Sequence, residues 1–165
     1  MATIVTPETL LALASEVKLA APGSTKTSSS VVIAPVAPAV FTTNGNALLV
    51  GWAIRVTSSG TVTEEMGLVA NADGSYTSAP INMGAATDKV YLAFYGTGVQ
   101  AAGLANVTVT VNGVNAPVLY AGNSGYVGID QINVALPASL AGSGTVELQL
   151  TASGIAANGV QVAIQ

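Results

Sequence analysis

The sequence predicts an all-β protein, an antiparallel two-sheet sandwich, on three observations. Apolar residues alternate with polar or small ones at period two through most of the chain. The alternating runs are about five to ten residues long and are separated by clusters of Gly, Asn, Pro and Ser. Beyond the first two dozen residues no helical period recurs, so there is nothing to supply the crossovers that join parallel strands. Mostly antiparallel sheets with Greek-key connections are the economical result.

Taken in order, residues 1–24 differ from the rest. Thr6 is placed to cap a helix, with Pro7 at the first helical position and Glu8 in the first turn. Leu10, Leu11, Ala14 and Val17 follow at helical spacing before Pro22-Gly23. The alternative is an extended arm in which Val17 and Leu19 belong to a strand. The expected division is therefore an N-terminal arm or helix over 1–24 and a sandwich domain over 25–165.

Within the sandwich, Leu48, Val50, Trp52, Ile54 and Val56 share one face of a long strand, opposite Ala47, Leu49, Gly51, Ala53 and Arg55. The bulk of the first set assigns it to the core, with Trp52 as its largest filler. Ser58-Ser59-Gly60 turns the chain and Thr61 to Ala70 returns; Asn71-Ala72-Asp73-Gly74 is a second turn, followed by a short strand at Tyr76-Thr77. Val90, Leu92 and Phe94 then alternate with Tyr91, Ala93 and Tyr95. Val107, Val109 and Val111 share a face. Asn112-Gly113 tolerates positive φ at both centres of a tight turn, so Val114 to Tyr120 is the expected return strand, with Pro117 placing it near an edge or bulge. Ile132, Val134 and Leu136, then Val146, Leu148 and Leu150, and finally Val160, Val162 and Ile164 repeat the pattern. In all, about nine or ten strands around an immunoglobulin-like core are expected.

Composition removes whole classes of function. The 165 residues include no His and no Cys, and only 7% are charged, against roughly 25% in ordinary soluble domains. Thiol chemistry, disulfide exchange, His-dependent triads and ordinary zinc sites are excluded, and no enzyme activity or cofactor is expected. A net charge of −4 and the lack of any Lys/Arg cluster oppose nucleic acid and anionic membranes. The uncharged stretch from Val90 to Ile129 is too interrupted by Gly, Asn and Pro for a membrane-spanning helix. Met1 to Leu19 lacks a basic n-region and a continuous apolar core, so no secretory signal is expected there.

Several ordered blocks carry a resemblance: Ala34-Pro35-Val36-Ala37-Pro38 with Val40-Phe41-Thr42, Tyr95-Gly96-Thr97-Gly98-Val99, Val107 to Val111 with Asn112-Gly113-Val114, Val118 to Gly122, Val127 to Val134, Leu136-Pro137, and the terminal Val160 to Gln165. From about Val31 to Gln165 the chain resembles the Solibacter-type C-terminal domain found at the ends of large secreted acidobacterial proteins. The resemblance implies an immunoglobulin-like module, extracellular or at the cell surface, with no catalytic residues to carry over. Residues 1–24 fall outside it.

Candidate sites divide into weak and serious. Gly96-Thr97-Gly98 mimics a dinucleotide turn, but no helix follows to hold a pyrophosphate, and a glycine-assisted reversal between sheets is the plainer reading. Asn71, Asp73 and Asp130 are oxygen donors near turns, yet without a calcium-loop pattern they read as turn caps, and no metal is expected. Glu64 and Glu65, adjacent on a strand, point to opposite faces and cannot serve as an acid–base pair. Lys18, Lys26 and Lys89 read as solvated lysines rather than sources of an amide cross-link. Asn106-Val107-Thr108 fits a glycosylation pattern but is read as lying inside a strand. The serious candidate is aromatic. Tyr91 and Tyr95 share the face opposite Leu92 and Phe94 and would form a platform for stacking on sugar rings, which Tyr76, Tyr120 and Tyr126 would extend.

The expected function is a non-catalytic structural, adhesive or self-assembling surface module, with few lysines to guard its strand edges. One version has the N-terminal arm completing a neighbour's sheet, giving a homo-oligomer or filament. The alternative is a polysaccharide-binding or accessory domain of a larger secreted protein.

Overall fold

The computed structural model describes residues 14–19, 27–32, 34–43 and 47–165. The chain divides into two compact units, Met1–Pro35 and Val36–Gln165. In the first, β1 (Ala14–Leu19) pairs antiparallel with β2 (Thr27–Val32), Ala14 opposite Val32 and Leu19 opposite Thr27. Ala14 and Val17 are therefore strand residues, which corrects the C-terminal half of the expected helix and realises the extended alternative for Val17 and Leu19. A short isolated helix is marginal in water, whereas pairing gives this segment a ladder of backbone hydrogen bonds. The Thr6-capped start of the expected helix lies outside the described residues.

The second unit contains β3 (Ala39–Val40), β4 (Gly51–Val56), β5 (Val62–Met66), β6 (Leu68–Ala70), β7 (Tyr76–Ser78), β8 (Lys89–Thr97), β9 (Val107–Val111), β10 (Val114–Asn115), β11 (Val118–Asn123), β12 (Asp130–Leu136), β13 (Gly144–Ala152), β14 (Ile155–Ala156) and β15 (Val160–Ile164). A six-stranded sheet runs β11-β12-β8-β4-β5, with β3 also on β8; a five-stranded sheet runs β10-β9-β13-β14, with β15 also on β13. β6 and β7 make a separate two-stranded ladder. All these strand pairs are antiparallel. The molecule is the all-β sandwich expected from the alternation.

The second unit has more strands than about nine or ten because two expected strands are broken and two short ones, β3 and β14, are added. The return from Thr61 divides at Gly67 into β5 and β6. The partner of β9 divides at Pro117. Asn112 and Gly113 do take positive φ, 51° and 73°, and Val114 sits opposite Val111. After Ala116 the chain leaves β9, because Pro117 has no N–H with which to continue the ladder, and it re-pairs in the other sheet as β11.

The inner faces close one core. From the six-stranded sheet come Val90, Leu92, Phe94, Ile132, Val134 and Leu136; from the five-stranded sheet come Val107, Val109, Val111, Leu148, Leu150, Val160, Val162 and Ile164. The sequence alternation assigns all of these correctly. It fails at β4, where Trp52 is 40% exposed and Ala53 is buried. Trp52 therefore does not fill the core. The inward positions of β4 are Gly51 and Ala53, beside the bulky Phe94 and Leu92 of β8. A Cβ on Gly51 would already lie 3.1 Å from that of Phe94, so only small residues fit and the bulky set is turned outward.

Candidate functional site

The outward face of the six-stranded sheet carries the exposed Trp52 and Tyr120 together with the half-buried Tyr91 and Tyr95. Register places Tyr91, Ala93 and Tyr95 outward on β8, alternating with buried Val90, Leu92 and Phe94. Ala93 stands opposite Trp52 of β4 on one side and Asn133 of β12 on the other; Asn133 in turn stands opposite Tyr120 of β11. One row thus reads Met66, Trp52, Ala93, Asn133, Tyr120 across five strands. A neighbouring row carries Glu64, Ile54, Tyr91 and Ala135.

A register shift between Val118 and Tyr120 bulges β11. It leaves both Leu119 and Tyr120 exposed, whereas strict alternation would have turned one of them inward. The Tyr120 hydroxyl donates to the carbonyl of Asn123 at 2.7 Å. A Cβ built on Gly122 would lie 3.2 Å from the Tyr120 oxygen and 3.4 Å from its Cζ. The ring therefore lies along the sheet over a residue without a side chain, fixed at its far end by a hydrogen bond.

Between these groups lies a depression of about 230 Å³ lined by Ile54, Tyr91, Leu92, Ala93, Leu119, Tyr120 and Asn133. Its depth over Ala93 comes from a methyl group flanked by larger neighbours. Gln131 Nε2 donates to Asn133 Oδ1 at 2.8 Å, orienting the carboxamide in the lining. Of the expected platform, Tyr91 and Tyr120 come together here. Tyr95 shares the outward face, opposite Gln131, but does not line the depression. Tyr76 lies on β7, outside this sheet, and Tyr126 projects from the loop between β11 and β12 at 73% exposure. Trp52, Leu119 and Asn133 were missed by the sequence reading: the first because bulk suggested burial, the second because a bulge breaks parity, the third because a single amide in a strand carries no signal.

Four of the ionisable groups, Asp130, Asp73, Arg55 and Asp88, do structural work. Asp130 is buried, and its Oδ2 accepts the backbone N–H groups of Val99 at 2.7 Å and Gln100 at 3.2 Å. It thereby ties β12 to the chain segment that carries Gly98 out of β8 toward β9. Gly96 and Gly98 are required there because a Cβ on either would collide with the carbonyl of Ala39 or Ala37. Asp73 caps its turn, accepting from Ser75 N at 2.9 Å and Ser75 Oγ at 2.6 Å. These bonds, the hydroxyl's first, hold its carboxyl below the ordinary value. Arg55 pairs with Asp88 at 3.1 Å.

Glu64 and Glu65 are both exposed on β5, opposite Ile54 and Ala53. Lys89 is exposed at the start of β8. Asn106 is exposed and precedes β9 rather than lying within it; it ends a 3₁₀ turn, Leu104–Asn106, and its carboxamide donates to Ala102 O at 2.9 Å. Among the described residues no group of three or more acidic, His or Cys side chains is disposed to hold a metal. Among them, too, no helix is long and apolar enough to cross a membrane.

Compared with known proteins, the chain matches no family model, no curated protein and no solved structure.

Proposed function

We propose that this chain is a non-catalytic extracellular β-sandwich, a structural or adhesive surface module whose contact surface is the outward face of the six-stranded sheet. The observation that carries the reading is the outward set Trp52, Ile54, Tyr91, Leu119 and Tyr120. It is an aromatic and aliphatic surface that the core does not need and that water disfavours. The extracellular setting rests on the resemblance to the Solibacter-type domain. The ionisable groups support the non-catalytic part: Asp130 and Asp73 are occupied by backbone and hydroxyl donors, and Arg55 and Asp88 by each other.

Self-assembly belongs to the same proposal and takes two forms. Donation of the N-terminal arm requires β1 to leave β2, with which it pairs over six residues. Contact through the outward face requires no opening. Sedimentation velocity over a concentration series separates them. Association lost on deleting residues 1–24 assigns it to the arm, and association lost in Trp52→Thr with Tyr91→Thr assigns it to the face. A protein that stays monomeric throughout, and that when coupled to beads causes them to adhere to no cell or polysaccharide surface, overturns the adhesive reading.

A second reading, a polysaccharide-binding or accessory domain of a larger secreted protein, is favoured by the fixed Tyr120 ring. An aromatic side chain held flat and exposed before any ligand arrives is preorganised for stacking.

A further inference from the structure

The chemistry around the depression narrows what the outward face can hold. Among the described residues no ionised group lines it. The nearest outward charges by register are Glu64, opposite Ile54, and Lys89, opposite Val56. They are of opposite sign and at the margin, and the chain's net charge is −4. A polyanion finds no cation cluster to replace its counterions. A polycation meets one carboxylate. The charge pattern is complementary to a neutral partner.

That partner is not wholly apolar. Gln131 and Asn133 bond to each other through one donor and one acceptor. Among the described residues, the Asn133 Nδ2 and the Gln131 Oε1 have no protein partner. An apolar side chain or acyl group laid over them would strip their water without replacing it, at a cost. Hydroxyl groups, which donate and accept, would satisfy both. The rest of the surface offers ring faces and aliphatic carbon, suited to the C–H face of a saturated ring.

Size adds a further restriction. The row from Trp52 through Ala93 and Asn133 to Tyr120 crosses three strand spacings of about 4.8 Å, so its aromatic ends are roughly 14 Å apart. A single small ring cannot touch both. A chain of linked rings can.

We propose that the depression over Ala93, walled by Ile54, Tyr91, Leu119 and Tyr120 with Asn133 in its lining, binds hexopyranose units of a neutral polysaccharide, and that Trp52 stacks on a further unit of the same chain. The inference rests on the outward face being the contact surface, and it adds the ligand class and the residues that select it. Ala93 sets the depth of the site. Tyr120 is presented by the Gly122 gap and the Asn123 carbonyl.

The single tryptophan of the chain is Trp52, so the site carries its own reporter. The test is titration of the full chain with soluble neutral oligosaccharides and hydroxyethylcellulose, following Trp52 emission, in parallel with native gels containing hydroxyethylcellulose, galactomannan or the acidic polymer alginate. Saturable emission changes and retardation in at least one neutral gel but not in alginate are expected. Tyr91→Ala and Ala93→Leu, the latter filling the depression, should each weaken retardation about tenfold. Tyr120→Phe, which keeps the ring and frees its end, should weaken it about threefold. Far-ultraviolet dichroism and unfolding midpoints identify any variant that fails to fold, and the others then decide.

Unaltered mobility in all the neutral gels overturns the proposal. So does retardation indifferent to both Tyr91→Ala and Ala93→Leu, or retention in alginate alone. Self-association abolished by Tyr91→Ala without glycan retardation would remove the polysaccharide and leave the outward face as a protein contact. Loss of neither property in both Tyr91→Ala and Ala93→Leu would remove both.

Discussion

Along β13, Leu148, Leu150 and Ala152 point into the core while Thr145, Glu147, Gln149 and Thr151 point out. Across from them, Thr151 meets Thr108, Gln149 meets Thr110 and Glu147 meets Gln161. Along β8, Val90, Leu92 and Phe94 point in, yet the outward residues are Tyr91, Ala93 and Tyr95, with Trp52 and Ile54 alongside. Both sheets seal the same core, but only one gives water the polar outer surface that antiparallel sheets usually present. An outward face of hydroxyls and amides is therefore sufficient for this fold. The aromatic surface of the other sheet is a surplus, and it is the part of the molecule that calls for a function.

The comparison breaks most directly at the core, where the sheets should behave alike. Phe94→Ala should cost about 3–5 kcal/mol and Leu150→Ala about 2–5 kcal/mol, since both side chains are fully buried. Denaturant unfolding measures both. Comparable, cooperative losses are expected if one core serves both sheets, whereas a separate transition for either variant would mean that the sheets are not sealed together.

A smaller effect is expected at the connection between them. Asp130→Ala removes the acceptor for Val99 N and Gln100 N and should cost about 2 kcal/mol, because a buried N–H is left without a partner. Amide exchange at Val99 should accelerate more than that at Val109, which sits in the ladder beyond. Equal acceleration at both would show that Asp130 acts on the whole core rather than on the crossing.

The outward faces give the sharpest contrast. Trp52→Thr and Tyr91→Thr make the aromatic sheet resemble its polar counterpart. Each should change stability by no more than about 1 kcal/mol, as expected for half-exposed positions, while diminishing adhesion or ligand retention. A loss of several kcal/mol in either would mean that these side chains serve the fold, and the surplus would vanish.

Sequence pattern reveals the five-stranded sheet more fully than the six-stranded one. Val107 to Val111 and Val146 to Leu150 alternate apolar with polar, so period two determines which side is buried; Val160 to Ile164 follows it except at Ala163, which is buried between Val162 and Ile164. The outward placement of Tyr91 and Tyr95 was legible for the same reason. In Leu48 to Val56 both faces are largely uncharged, and bulk was a misleading guide because the neighbouring Phe94 and Leu92 had already filled the interior. The site itself was only half legible. Its walls depend on a bulge in β11, on cross-strand register and on a ring folded over Gly122, all of which arise from pairing between segments distant in sequence.

The smallest expected effect lies away from both outward faces, in the turn joining β6 to β7. Asp73 has its carboxyl lowered first by the Ser75 hydroxyl and then by the Ser75 backbone N–H. A group whose folded value is depressed stabilises the native state above its unfolded pKa, near 3.9, and loses that contribution as pH falls through the lower folded value. Ser75→Ala should raise the Asp73 pKa toward the ordinary one, as read by NMR titration of its side chain. The stability difference from wild type should be constant between about pH 5 and 7 and shrink below about pH 4. The group is fully exposed, so solvent screens most of the interaction. An unchanged Asp73 titration in Ser75→Ala would assign the depression to something other than this capping pair. An altered Trp52 emission in the same variant would show that the turn and the aromatic face are coupled, contrary to the independence expected of a local cap.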